Sequence, residues 1–143
     1  MTKHIYLIDD DDGVRAALTA LLATLGWEVK AFSDGQHFLD SLAITQPSCV
    51  LLDIRMPGKS GMAVLEAIQC RDSTLPVIIM TGHGNIELCR RAFKGGALEF
   101  LTKPIDADVL IETISMALEQ HEHALAIHSE QAAYQQLISQ LSA

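Results

Sequence analysis

Five short apolar runs alternate with helix-patterned stretches, and that alternation leaves few ways to fold the chain. The runs are Ile5 to Ile8, Val29 to Phe32, Cys49 to Leu52, Val77 to Met80 and Leu98 to Leu101. Short runs rich in Val, Ile and Leu that do not alternate with polar residues suit strands buried on both faces, as in a parallel sheet. The second and fifth runs are diluted by Lys30 and Glu99, as edge strands would be. Between the runs, Val14, Leu18, Leu21, Leu22 and Leu25 recur at helical spacing until Gly26 stops the helix. Phe38, Leu39 and Leu42 mark a second helix, and Met62, Leu65, Ala67 and Ile68 a third. Ile86, Cys89, Ala92 and Phe93 mark a fourth that ends at Gly95-Gly96. Strict β-α alternation predicts right-handed crossovers and helices on both faces of one sheet. The expected architecture is a doubly wound (βα)5 α/β fold with strand order 2-1-3-4-5.

At 143 residues the chain holds one domain with a core large enough to need no disulfide. No apolar run approaches the ~20 residues that span a bilayer, and the N-terminus lacks a secretory h-region, so a cytoplasmic protein is expected. Cys49, Cys70 and Cys89 are odd in number and form no C-x-x-C, so they read as buried free thiols. The formal net charge of −8 argues against nucleic acid as a partner of this chain. Residues 104–143 carry six acids and no Lys or Arg.

After Lys103-Pro104 an unbroken helix-forming sequence runs from about Asp106 to the C-terminus, too long for the domain alone. The spacing Leu118, His121, Leu125, His128, Ala132 is a weak heptad. It reads either as a solvated tail or as a dimerising or signalling helix that leads to a further domain. His121, Glu122, His123 and His128 lack the i, i+4 histidine pair of a helical zinc site, and no metal is expected there.

In an open α/β sheet the site lies beyond the carboxyl ends of the strands. Asp9 to Asp12 follow the first run, Asp53 the third, Thr81-Gly82 the fourth and Lys103-Pro104 the fifth. Neighbouring carboxylates at Asp9, Asp10 and Asp53 repel unless a cation joins them. Oxygen-only ligands favour Mg²⁺ or Mn²⁺, which keeps waters and takes a phosphoryl oxygen as well. Lys103 and Thr81 could then bind other phosphoryl oxygens, leaving Asp53 to act as nucleophile. Asp11 and Asp12 read as caps of the first helix.

The segments Ile8-Asp9-Asp10-Asp11, Leu52 to Pro57 with Ser60-Gly61, Met80 to Gly84 and Phe100 to Pro104 resemble the motif set of two-component response-regulator receiver domains. The match covers about residues 3 to 120, and the wording of the second and third segments is similar to the FixJ-like branch, within the NarL/LuxR-type transcription regulators. The resemblance implies a flavodoxin-like, CheY-like fold, with a receiver domain at residues 1–120. Residues 121–143 would extend the fifth helix as a linker, leading to an output domain beyond this chain. It implies that Asp53 accepts phosphate from a sensor histidine kinase. Asp9, Asp10, Asp53 and the backbone carbonyl of Arg55 would hold Mg²⁺, and Thr81 and Lys103 would bind the phosphoryl group. Phe100 would be the aromatic switch coupled to Thr81, and a cis bond before Pro104 would turn Lys103 inward. Arg55 and His83 would flank the path of the hydrolytic water.

The same resemblance implies catalysis only of the domain's own phosphorylation and dephosphorylation. A phosphorylation-dependent homodimer is expected through the fourth helix, fifth strand and fifth helix, where Arg90, Arg91 and Lys94 could meet Asp106, Asp108 and Glu112. A dehalogenase-type phosphatase would need an acid at position 55, and a flavin module would need a hydroxyl- and glycine-rich loop after the first strand. A non-phosphorylatable pseudo-receiver, acting purely as an interaction module, is the alternative from another class.

Overall fold

The computed structural model describes residues 2–56, 60–82 and 86–141. Five parallel strands, β1 (His4–Ile8), β2 (Glu28–Phe32), β3 (Ser48–Asp53), β4 (Val77–Thr81) and β5 (Glu99–Thr102), pair in the order β2-β1-β3-β4-β5. This is the doubly wound order read from the alternation, with the two diluted runs at the edges. The helices between them are α1 (Asp12–Ala23), α2 (Gly35–Asp40), α3 (Gly61–Arg71), α4 (Ile86–Lys94) and α5 (Ala107–Leu141). The fifth strand starts one residue later than the apolar run suggests. Leu98 donates its N–H to Val77 O at the entrance to the ladder, which itself begins by pairing Ile78 with Glu99.

Every residue of β3 is buried, and its side chains alternate between two cores. Val50 and Leu52 join Ile8, Val77 and Ile79 beneath α2, α3 and α4, where Phe38, Val64, Leu65 and Ile68 pack. Cys49 and Leu51 join Ile5, Leu7, Ile78 and Met80 beneath α1 and α5, where Leu22, Leu110, Ile114 and Leu118 pack. Phe38 anchors the first core, its ring centroid 5.4 Å from Tyr6 and 5.6 Å from Phe32.

Three sequence expectations need correction. Of the three thiols only Cys49 is buried, and burial pushes it up to about 12. Cys70 is exposed because it lies about 200° around α3 from the buried Ile68. Leu25 falls beyond the end of α1 and is 43% exposed. On α4, Ile86 and Phe93 are seven residues apart and so share one side of the helix, which faces solvent. Ala92 is the buried residue of that helix.

The spacing through Leu118 and His121 belongs to the packed side of α5, since both are buried. His121 reaches the entrance of the central strand, where its Nδ1 accepts the Ser48 N–H at 2.8 Å. That bond fixes the tautomer with hydrogen on Nε2, a buried atom with no hydrogen-bond partner among the described residues. Burial lowers the imidazole below its ordinary range, only partly offset by Asp72. The folded state therefore binds this proton less readily than the unfolded chain, and its contribution to stability is lost as pH falls below about 6.5.

Two outcomes follow for unfolding experiments. Phe38→Ala should cost about 3–5 kcal/mol in urea titrations. Wild type should lose stability relative to His121→Gln as the pH is lowered from 7.5 to 5.5; a constant difference would show that His121 does not titrate with folding.

Candidate functional site

Because the strands are parallel, their carboxyl ends open on one edge. The connections from β1 and β3 leave to opposite faces there and so open a crevice. Asp9 follows β1, Asp53 and Thr81 end β3 and β4, and Lys103 follows β5. The register sets Asp53 beside Met80 and Thr81 beside Thr102, which brings the four residues to one level.

Asp9 is fully buried. Its Oδ1 accepts the Asp11 N–H at 2.9 Å, and its Oδ2 accepts from Lys103 Nζ at 2.8 Å. Asp53 is 5% exposed; its Oδ1 accepts the Arg55 N–H at 3.1 Å, and its Oδ2 lies 3.5 Å from the same Lys103 Nζ. Asp10 is exposed, yet one oxygen from each of Asp9, Asp10 and Asp53 lies within 4.8 Å of the others.

The Lys103 ammonium thus meets two of three clustered carboxylates, and at an effective dielectric near 20 an unrelieved contact between the buried pair costs about 4 kcal/mol. Burial pushes the Asp53 carboxyl up to about 6. The Arg55 N–H opposes that rise, the charge of Asp9 adds to it, and Lys103 opposes it. For Lys103, burial acts to lower the ammonium, but Asp9 and Asp53 outweigh it and hold the group above its ordinary value. Three clustered carboxylates, oxygen donors only and short of positive charge, fit a hard divalent cation such as Mg²⁺.

The remaining expected residues fall around this cluster. Thr81 is fully buried, and its carbonyl accepts the Lys103 N–H at 2.7 Å. The Lys103-Pro104 bond is cis, as the resemblance implied. Phe100 is half-buried, paired with Ile79 and packed against the first core. The Arg55 side chain is exposed. Asp11 caps α1 by accepting from the Gly13 and Val14 N–H groups. His83, Gly84 and Pro57 lie outside the described residues.

Two residues of the site have roles that the sequence reading did not assign. Arg15 donates from Nη1 to the Asp9 carbonyl at 2.6 Å and pairs with Asp12, clamping the acidic loop from within α1. Its signal was a lone cation in a first turn crowded with aspartates. Gly61 lets α3 start directly over the Asp53 loop: a Cβ there would sit 2.4 Å from Ile54 Cα and 2.6 Å from Asp53 O. Ser60 caps that helix through the Ala63 N–H at 3.2 Å.

Residues 5–115 match the family model described as the response regulator receiver domain. The chain is 44% identical over 121 residues to the transcriptional regulatory protein FixJ of Bradyrhizobium diazoefficiens, covering 85% of this chain and 59% of that protein. Among solved structures it is similar to the response regulator StyR, with a TM-score of 0.90 and 34% identity over 97% of this chain and 70% of that one. It is also similar to full-length FixJ from B. japonicum, with a TM-score of 0.77 and 42% identity over 91% of this chain and 66% of that one. The chain spans between 59% and 65% of the length of three curated relatives that it matches.

In metal-free protein, carbon NMR should find Asp53 titrating near pH 6. Asp9→Asn should move that titration toward the ordinary carboxylate range, and Lys103→Met should move it higher. Shifts of the opposite sign would show that the two neighbours do not set its charge.

Proposed function

We propose that this chain, which belongs to the response-regulator receiver-domain family, accepts a phosphoryl group on Asp53 from a phosphohistidine of a sensor histidine kinase. The observation that carries the reading is the shared Lys103 ammonium, 2.8 Å from Asp9 and 3.5 Å from Asp53 at the mouth of the crevice. It holds a carboxylate nucleophile beside a cation suited to a phosphoryl oxygen.

An Asp53 oxygen attacks phosphorus, the P–N bond to the kinase imidazole breaks, a P–O bond forms and the imidazole leaves. The Arg55 N–H orients the carboxylate through its Oδ1, so Oδ2 is the oxygen on the side of Lys103. Asp9, Asp10, Asp53 and the Arg55 carbonyl would hold Mg²⁺ or Mn²⁺, which supplies charge neutralisation between carboxylates and phosphoryl oxygens. Thr81 and Lys103 bind the other phosphoryl oxygens. Hydrolysis of the acyl phosphate then returns the domain to its starting state, so its catalysis is confined to its own phosphorylation and dephosphorylation.

Recruitment of Thr81 by the phosphoryl group lets the half-buried Phe100 ring change its packing, and the face of α4, β5 and α5 responds. Phenylalanine has no hydroxyl to mark its state, so packing carries the switch. That face is the proposed homodimer surface: Arg90, Arg91 and Lys94 are exposed on α4, and Asp106, Asp108 and Glu112 are exposed at the start of α5. Residues 1–120 form the receiver and residues 121–143 the linker. The whole protein acts in the cytoplasm on transcription, through a DNA-binding domain beyond this chain. No described helix is long and apolar enough to cross a membrane.

Beryllofluoride with Mg²⁺, a stand-in for the phosphoryl group, should shift the amide resonances of Thr81, Phe100 and Lys103 in wild type and leave Asp53→Asn unchanged. A silent wild type, or an equal response in Asp53→Asn, favours the pseudo-receiver reading and overturns this one.

A further inference from the structure

A helix packed on a sheet needs one apolar side, and α5 has two. Leu110, Ile114, Ala117, Leu118 and His121 are buried against the sheet. On the other side Val109, Met116, Ile127, Tyr134, Leu137 and Leu141 are all between 42% and 80% exposed. At about 100° per residue these six fall within an arc of roughly 80°, turned well away from the buried side. With Thr113, Gln120, His123 and Glu130 they form a single row whose steps alternate between four and three residues from Val109 to Leu141. That is the 3.5-residue spacing of a coiled-coil seam.

We propose that this outward row is a seam that joins two copies of the chain in a parallel coiled coil. The length of the row selects the occupant. A groove on a globular partner engages anchors at i, i+3, i+4 and i+7, over two or three turns. This row runs about 48 Å, and only another helix of that length can cover it. Among the described residues every other helix has 12 residues or fewer, whereas α5 of a second copy has 35 and presents the same apolar positions in register.

Charge permits the approach along the distal half. The positions flanking the seam there are Ala124, Ala126, Gln131, Ala133, Ile138 and Gln140, none of them charged, so Glu130 within the row is the one acid of the distal seam that meets its own copy. The parallel direction follows from the other end of the row. Val109 and Met116 lie where α5 borders the exposed residues proposed for dimer contact, so a parallel pair extends that face along the helix. The direction rests on that reading, whereas the seam itself does not involve Asp53.

The polar layers Gln120, His123 and Glu130 weaken the seam and hold it in register. The dimer is therefore expected to be weak and sensitive to single substitutions. Sedimentation of the full chain without any phosphoryl analogue should show concentration-dependent dimers. Leu137→Glu and Tyr134→Glu, at exposed positions that leave the fold intact by circular dichroism, should each raise the dimer Kd roughly tenfold or more. Glu130→Leu should lower it by a similar factor.

In a Cys70→Ser, Cys89→Ser background, which leaves only the buried Cys49, Leu137→Cys should form an intermolecular disulfide under mild oxidation. A wild type that stays monomeric to about 1 mM, at which an association worth ~4 kcal/mol would be half complete, overturns the seam. So does a dimer that Leu137→Glu leaves unchanged. A dimer whose Leu137→Cys form fails to cross-link overturns the parallel direction. Because beryllofluoride is absent throughout, a failure here leaves the phosphoacceptor reading to its own test.

Discussion

A parallel sheet covered on both faces has nowhere to put a polar side chain except at the ends of its strands. In β3 all six residues are buried, and the two polar ones are the first and the last. Ser48 is satisfied by the His121 ring through its N–H and by the Gln46 carbonyl through its hydroxyl. Asp53, at the other end, is settled locally only in part, by the Arg55 N–H on its Oδ1. Its environment is set by what the neighbouring strand ends deliver to the same edge.

That edge concentrates charge because burial makes dispersal impossible. Asp9 is fully enclosed, and its carboxylate is shared between a backbone N–H and the Lys103 ammonium. Arg15 secures the carbonyl of the same residue, so the acidic loop is held from both sides. The result is a hydrogen-bonded frame beside a carboxylate whose burial favours the neutral form and whose neighbours pull in both directions.

The fold was legible because its signals are redundant. Five runs of one chemistry and four intervening periodicities agree on a single topology, and the diluted runs mark the edges. The cluster was legible for a related reason: once the strands are parallel, the residue after each run must arrive at one edge. The unread parts depend on distances that sequence does not carry. Gly61 matters because two backbones pass within a Cβ's breadth, and Arg15 because a helix turn brings it back over Asp9. Cys70, Ile86 and Phe93 were misplaced because apolar character alone does not say which side of a short helix meets the sheet. The outward row on α5 was hidden behind the inner spacing, since the two interleave along the same stretch of helix without sharing a residue.

The length of α5 also makes it a lever. Its last fully buried residue is His121, and 20 residues at about 1.5 Å each carry Leu141 some 30 Å beyond that point. A tilt of about 5° at the sheet would therefore displace the tip by roughly 3 Å, comparable to half a helical turn. The imidazole on Ser48 sits at the fulcrum and resists that tilt with one hydrogen bond. Any small rotation of α5 where it meets the sheet is thus multiplied along the helix toward its tip.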